Sequence, residues 1–363
     1  MDAGDHPSIE YLGCCKPHLC WFVVDRGPAV KVAIVTESYL PNINGVTNSV
    51  LRIEEYAKAH GHEVLVIAPR ICVNVIRTLP IGLPVGVEKR LRAFDPDVIH
   101  LASPYAFAAR AAFIAQKMAV PCVAVYQTDV AAYQQHYRLT WLKNAHWSWM
   151  RAFHNRATLT LAPSTPAKEQ LENHGIKNVQ LWGRGVDTEL FHPRPKNNPK
   201  KVVGYVGRLA PEKSVHRLAA LNHRDDLEVV IVGDGILREQ LERALPNARF
   251  LGQLRGEALA REYARFDVFV HTGDHETFGQ TIQEAHASGV PVVAPRSGGP
   301  IDLITPANGI FITEGIEQAV DYVLAHDFDP RSTVVTWETV CSQLFAHYRD
   351  VVKLDNRGKG IIG

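Results

Sequence analysis

Residues 275–295 read HETFGQTIQEAHASGVPVVAP and carry two carboxylates, Glu276 and Glu284, on either side of Gly279. Thr277 and Gln280 have the spacing of a capping box, which predicts a helix starting at Phe278; Gly289 followed by Pro291 ends it before Val292 and Val293. A helix start offers unpaired N–H groups and a positive dipole end, and Gly279 lets a ligand approach the backbone, so Phe278, Gly279 and Gln280 form a candidate anion cradle. At 1.5 Å per residue Glu284 stands roughly 10 Å beyond that start. This separation fits one elongated ligand held at two places with a diphosphate between them, whereas a hydrolytic carboxylate pair flanks one bond at about 5 Å. Each carboxylate accepts two hydroxyl hydrogen bonds, as a sugar or a ribose diol offers. The plainer alternative makes Glu284 a solvated helix residue and Glu276 a dipole partner.

A second grip lies in GYVGRLAPEKS, residues 204–214. Counted from Gly207 it nearly has P-loop spacing, but Glu212 stands at the sixth position and Pro211 lacks an N–H, so backbone donors cannot wrap a phosphate there. The charge must come from Arg208 and Lys213, which can neutralise a departing diphosphate, unless this is a surface turn with two solvated cations. VGDGILRE (residues 232–239) places Gly233 and Gly235 for a dinucleotide fingerprint but ends it on Arg238, which argues against an oxidoreductase.

The elements that must position these groups follow a strand–helix–strand rhythm. Apolar runs at 31–35, 63–68, 97–101, 121–126 and 158–161, with a helix over 46–60, predict parallel strands covered on both faces. Residues 191–201, FHPRPKNNPKK, break the pattern, which resumes with runs at 202–206, 228–232, 249–251, 268–270 and 291–294. The expected division is an untypical N-terminal extension 1–29, a domain 30–192, a linker 193–201, a domain 202–330, and a C-terminal helix within 331–363 crossing back to the first domain. Doubly wound halves bind ligands in the cleft outside the carboxyl ends of their strands. A chain of 363 residues suffices for two such cores, and 39 Lys and Arg against 38 Asp and Glu leave no overall field that attracts nucleic acid, which only a local patch could then do. The six cysteines lack metal spacing and match the reduced thiols of a cytosolic chain, and no apolar run is long enough to predict a membrane span. Residues 131–156 hold three of the six tryptophans and four Lys or Arg with no acid. They form either a surface for anionic lipid headgroups or tryptophans packed inside under cationic cover.

Taken in order, VAIVTESYLPNINGVTNSV (32–50), GRGVDTELF (183–191), GYVGRLAPEK (204–213), VGDG (232–235), and E-x7-E from Glu276 to Glu284 followed by SGVPVVAPRSGGP (288–300) resemble the retaining glycosyltransferases of family four. The resemblance runs from about residue 30 to the end. It implies an α/β chain of GT-B architecture, with two Rossmann-like doubly wound parallel-sheet domains facing a cleft. Together with VAVYQTDV (123–130), the blocks are most similar to the actinobacterial GDP-mannose-dependent α-mannosyltransferases of glycolipid synthesis.

Carried onto these positions, the resemblance implies that Gly45 admits the donor diphosphate to the first domain, with Val46 opening the next helix. Arg208 and Lys213, beside Gly207, would hold the diphosphate, Glu284 the ribose, and Glu276 with the backbone from Phe278 to Gln280 the transferred sugar. Family members often carry a histidine where this chain has Gln127; an amide can orient a sugar hydroxyl but cannot act as acid or base. Asp129 or the donor phosphate itself is then left to take the acceptor proton. Asp302 stands where a glutamate is usual, and the short stretch between residues 70 and 84 implies trimmed loops on the acceptor side. The implied partners are a nucleotide-sugar donor, GDP-mannose, and a glycolipid or other lipid-linked acceptor, with no required cofactor, no metal and no nucleic acid. The implied location is cytoplasmic or peripheral on the inner face of the plasma membrane. The alternatives are a UDP-sugar-dependent transferase or a nucleotide-sugar epimerase of the same fold, and a non-catalytic nucleotide-sugar-binding protein.

Overall fold

The computed structural model describes residues 27–41, 44–69, 72–76, 79–82, 85–127 and 143–359. The first lobe contains β1 (Lys31–Val35), β2 (Glu63–Ile67), β3 (Cys72–Ile76), β4 (Leu79–Gly82), β5 (Val98–Leu101), β6 (Cys122–Val125), β7 (Leu159–Ala162) and β8 (Val179–Leu181). Six of these form a parallel sheet in the order β2-β1-β5-β6-β7-β8. The second lobe contains β9 (Lys201–Val206), β10 (Leu227–Val232), β11 (Arg249–Gly252), β12 (Val268–Val270), β13 (Val292–Ala294) and β14 (Gly309–Phe311), parallel in the order β11-β10-β9-β12-β13-β14. Each order reverses beside its first strand, which is the doubly wound arrangement expected from the sequence.

The uninterrupted apolar runs have the cause inferred from them. Successive side chains of a strand point to opposite faces, and both faces here are covered. Val32 and Ile34 of β1 pack with Val50 and Ile53 of helix Gly45–Ala59, while Ala33 and Val35 pack with Phe107 and Ala111 of helix Ala106–Met118. The second sheet is clothed in the same way, with Val230 and Phe269 on one side and Ile231 and Val268 on the other. The stretch read as little more than a trimmed loop pairs as the antiparallel hairpin β3–β4, and β8 and β14, edge strands with one fully buried residue each, lack the buried apolar run that marks the equally short β12 and β13.

The chain passes between the lobes twice. The outward segment follows β8 and the return segment precedes helix Trp337–Lys359; they meet in a parallel bridge between Val186 and Thr336, with Val186 N donating to Val335 O at 2.9 Å. The contact is so close that a Cβ on Gly185 would lie 2.3 Å from Trp337 N. Helix Trp337–Lys359 then lies on the first sheet. Val340, Leu344 and Phe345 join the core around Val32, Trp182 Nε1 donates to Val340 O at 2.9 Å, and the Tyr348 hydroxyl meets His100 Nδ1 at 2.7 Å.

In helix Lys143–His154, Trp147 is buried and stacks on His174 at 3.6 Å, while Trp149 is 46% exposed with Nε1 donating to Pro104 O. Trp141 lies outside the described residues. Among the described residues no helix is long and apolar enough to cross a membrane.

Candidate active site

The loop after β12 runs into helix Gln280–Ala287, which starts two residues later than the capping-box reading placed it. Gly279 is the N-cap with φ +105°, a left-handed conformation that takes residues 278 and 279 out of the helix, and no side chain caps the helix start. The two supposed box residues reach across to the first lobe instead. Thr277 Oγ1 points to Gln127 O at 3.5 Å, and Gln280 Nε2 donates to Gly185 O at 3.1 Å. The other end follows expectation: Gly289 (φ +76°) donates to His286 O at 3.0 Å and Val290 N to Ala285 O at 2.9 Å, closing the last turn. The loop is pressed onto a glycine pair, since a Cβ on Gly298 would stand 2.3 Å from Glu276 O and one on Gly299 2.1 Å from Phe278 O.

The cationic turn after β9 meets this loop. Pro211–Lys213 forms a single 3-10 turn, and Lys213 Nζ lies 2.7 Å from Glu276 Oε2. Burial alone would push the Glu276 carboxyl up, but the adjacent Lys213 ammonium, His271 and the Phe278 N–H hold it down to about 2. The pair borders a pocket of about 100 Å³ lined also by Tyr205, Gly207, His271, Gln280 and Thr281. Gly207 is needed there because a Cβ would stand 2.6 Å from the Tyr205 hydroxyl oxygen. His271 is buried, which lowers its imidazole to about 4, and its Nε2 has no hydrogen-bond partner among the described residues. Arg208 does not line the pocket; it is 48% exposed and leans on the buried Glu212 carboxylate at 3.0 Å. Glu284 receives the Tyr263 hydroxyl at 2.9 Å, and burial outweighs that bond to raise its carboxyl to about 7.

Across the cleft, Gly45 is the first residue of helix Gly45–Ala59. Asn44 Oδ1 accepts from both Val46 N and Thr47 N at 3.0 Å, so of the two residues expected to meet the diphosphate, Val46 has its N–H capped by a side chain in this state. Gln127 is engaged at both amide ends: Nε2 donates to Ala102 O at 3.2 Å, and Oε1 accepts from Arg184 Nη2 at 2.8 Å. Arg184, inside the motif GRGVD, is a functional candidate that sequence alone does not single out; its place between two glycines, Gly183 and Gly185, is the signal available there. Asp129 lies outside the described residues. Two further bonds join the lobes, Ser164 Oγ to Thr277 O at 2.8 Å and Thr165 N to Asp302 Oδ2 at 2.5 Å. Between them opens a second pocket of about 230 Å³, lined by Gln170, Asp274, His275 and Glu276 among others, so that Glu276 borders both cavities.

The family model "Glycosyltransferase Family 4" matches residues 43–190 and "Glycosyl transferases group 1" matches residues 186–326. A protein of Corynebacterium glutamicum named GDP-mannose-dependent alpha-mannosyltransferase is 44% identical over 374 residues, spanning 90% of this chain and 91% of its own length. One of the same name from Mycolicibacterium smegmatis is 46% identical over 370 residues, spanning 89% of this chain and 98% of its own length. The structure of sucrose-phosphate synthase from Thermosynechococcus elongatus has a TM-score of 0.71 over 90% of this chain and 100% of that one at 17% identity, a likeness of fold alone. Two matched models, one on each lobe, and relatives 44% and 46% identical over nearly their full length leave one assignment: the chain belongs to the family-four glycosyltransferases and has their GT-B fold.

Proposed function

We propose that the chain transfers mannose from GDP-mannose, with retention of configuration, to a glycolipid or other lipid-linked acceptor. The observation that carries this reading is the Lys213–Glu276 pair at the edge of a polar pocket beside the start of helix Gln280–Ala287. It sits at the carboxyl ends of β9 and β12, where a doubly wound sheet takes its ligand. The names of the relatives, which span 90% and 89% of the chain, support the base and the sugar.

In this reading Lys213, with Arg208 swung from Glu212, binds the diphosphate, Glu284 the ribose diol, and Glu276 with the backbone from Phe278 to Gln280 the mannose. Gly45 and Val46 contribute from the first lobe once Asn44 yields its cap. Displacing the Tyr263 bond by two ribose hydroxyls would favour the ionised Glu284. The acceptor oxygen attacks the anomeric carbon on the face from which the diphosphate departs. The C–O bond to phosphate breaks, its electron pair stays on the phosphate oxygen, and that oxygen or Asp129 takes the acceptor proton. A peripheral contact with anionic lipid through 131–156 would bring the acceptor to the cleft, the exposed Trp149 supporting it and the internal Trp147 standing apart from it.

A thermal-shift panel of GDP-, UDP- and ADP-mannose tests the donor. The preferred nucleotide sugar at 100 times its dissociation constant stabilises the protein by about 2.7 kcal/mol. Preference for UDP or ADP would overturn the base, and binding without GDP release in the presence of lipid extract would favour a non-catalytic binder.

A further inference from the structure

The cations of the cleft differ in what they are paired with. Arg208 faces Glu212, Lys213 faces Glu276, and Arg217 faces Asp274 with Nη2–Oδ2 at 2.6 Å. Arg184 faces a neutral amide: its Nη2 donates to Gln127 Oε1, among the described residues it makes no salt bridge, and the charge of Glu276, already paired with Lys213, offsets only part of the cost of burying it. It is half-buried at the seam of the lobes. On one side its Nη1 approaches the start of helix Gly45–Ala59 so closely that a Cβ on Gly45 would lie 3.0 Å away. On the other, the carbonyl of the next residue, Gly185, accepts from Gln280, which lines the pocket beside Glu276.

A guanidinium carries five donors in a planar fork and keeps its charge when desolvated. Holding it half-buried against an amide is unfavourable unless an anion joins it. Gln127 cannot be that anion, yet it fixes the fork: one end is anchored on Ala102 O and the other takes a single Nη2 hydrogen, leaving the remaining donors for a ligand.

We propose that Arg184 is a third cation on the donor diphosphate, reaching it beside the start of helix Gly45–Ala59, and that Gln127 is its positioning residue rather than a contact of the sugar. The proposal rests on the donor reading above. As the glycosidic C–O bond breaks and the electron pair remains on the phosphate oxygen, Arg184 shares the charge from the first-lobe side while Lys213 shares it from the second. The lobes are then joined through the diphosphate itself.

The test is calorimetric titration of the full chain with GDP, GMP and GDP-mannose, repeated on Arg184→Gln, Arg184→Lys, Gln127→Ala and the Arg184→Gln/Gln127→Ala double variant. Arg184→Gln is expected to weaken GDP and GDP-mannose at least tenfold, about 1.4 kcal/mol, while GMP changes less than twofold. Arg184→Lys recovers part of the loss. Gln127→Ala weakens GDP several-fold, and the double variant is no weaker than Arg184→Gln alone, because the amide acts through the cation. Equal losses for GMP and GDP, additive losses in the double variant, or unchanged GDP affinity with a raised KM for the lipid acceptor would each overturn the proposal; the last would hand Arg184 to an acceptor phosphate. Should Arg184→Gln fail to fold, Arg184→Lys and Gln127→Ala decide by the same GDP-to-GMP comparison. Wild type that binds UDP or ADP instead of GDP revises the donor base alone, and the comparison is made with that diphosphate and its monophosphate. Wild type that binds no nucleoside diphosphate sinks both readings.

Discussion

Glu276 is the residue on which the proposed chemistry converges: it is ionised, paired with Lys213 and shared by both pockets. Glu276→Gln or Lys213→Ala should therefore slow turnover of the purified protein by at least about tenfold, or about 1.4 kcal/mol of barrier; steady-state kinetics with matched unfolding midpoints would show it, and undiminished turnover in both would refute the roles. Glu284 offers a pH signature. Its carboxyl sits at about 7 in the folded protein against 4.5 ordinarily, so the folded state holds a proton that the unfolded chain releases. Stability from this group is full below pH 4.5 and is lost as pH rises to 7. Midpoints measured from pH 5 to pH 8 should fall more for wild type than for Glu284→Gln; parallel curves would contradict the raised value. At this scale the sequence disclosed residue types and left their partners hidden. The carboxylates stood out because they flank and follow a helix start, and the Arg208 and Lys213 pair because it sits in a spacing close to that of a P-loop. Arg184 did not, because its meaning depends on Gln127, a residue 57 positions away that meets it only in the fold.

Among the elements, strands were legible wherever both faces are buried, because burial leaves runs without polar alternation, as in β1, β5 and β10. The start of helix Gln280–Ala287 was misplaced because Thr277 and Gln280 satisfy the opposite lobe rather than their own helix, a choice no local pattern contains. The loop before this helix owes its path to Gly299, where a Cβ would stand 2.1 Å from Phe278 O. Gly299→Ala should destabilise the protein by about 1–3 kcal/mol through that overlap. In Gly61→Ala, where nothing lies within 4 Å and only φ +74° opposes the change, the loss should be roughly 1 kcal/mol. Urea titrations of the two variants check the ranking, and a reversed order would show that the loop moves aside freely.

For the whole molecule, the two-lobed architecture followed from the interruption at 191–201 and the renewed strand rhythm, whereas the packing of the lobes did not, because it is made by single bonds such as Ser164 to Thr277. The lipid contact belongs to this scale as well. Sedimentation with anionic vesicles at low salt should carry the protein down, and raising the salt should release it; protein left in the supernatant at low salt would remove that part of the proposal. The bridge between Val186 and Thr336 has a mechanical outcome. Pinned side by side, the two connecting segments cross between the lobes at one place and tie the outward and return chain together there. Arg184 lies two positions from Val186, beside that crossing, and the bonds from Ser164 and Thr165 also join the lobes. A diphosphate gripped by Arg184 and Lys213 would therefore hold the cleft shut next to the place where the chain itself keeps the lobes in register.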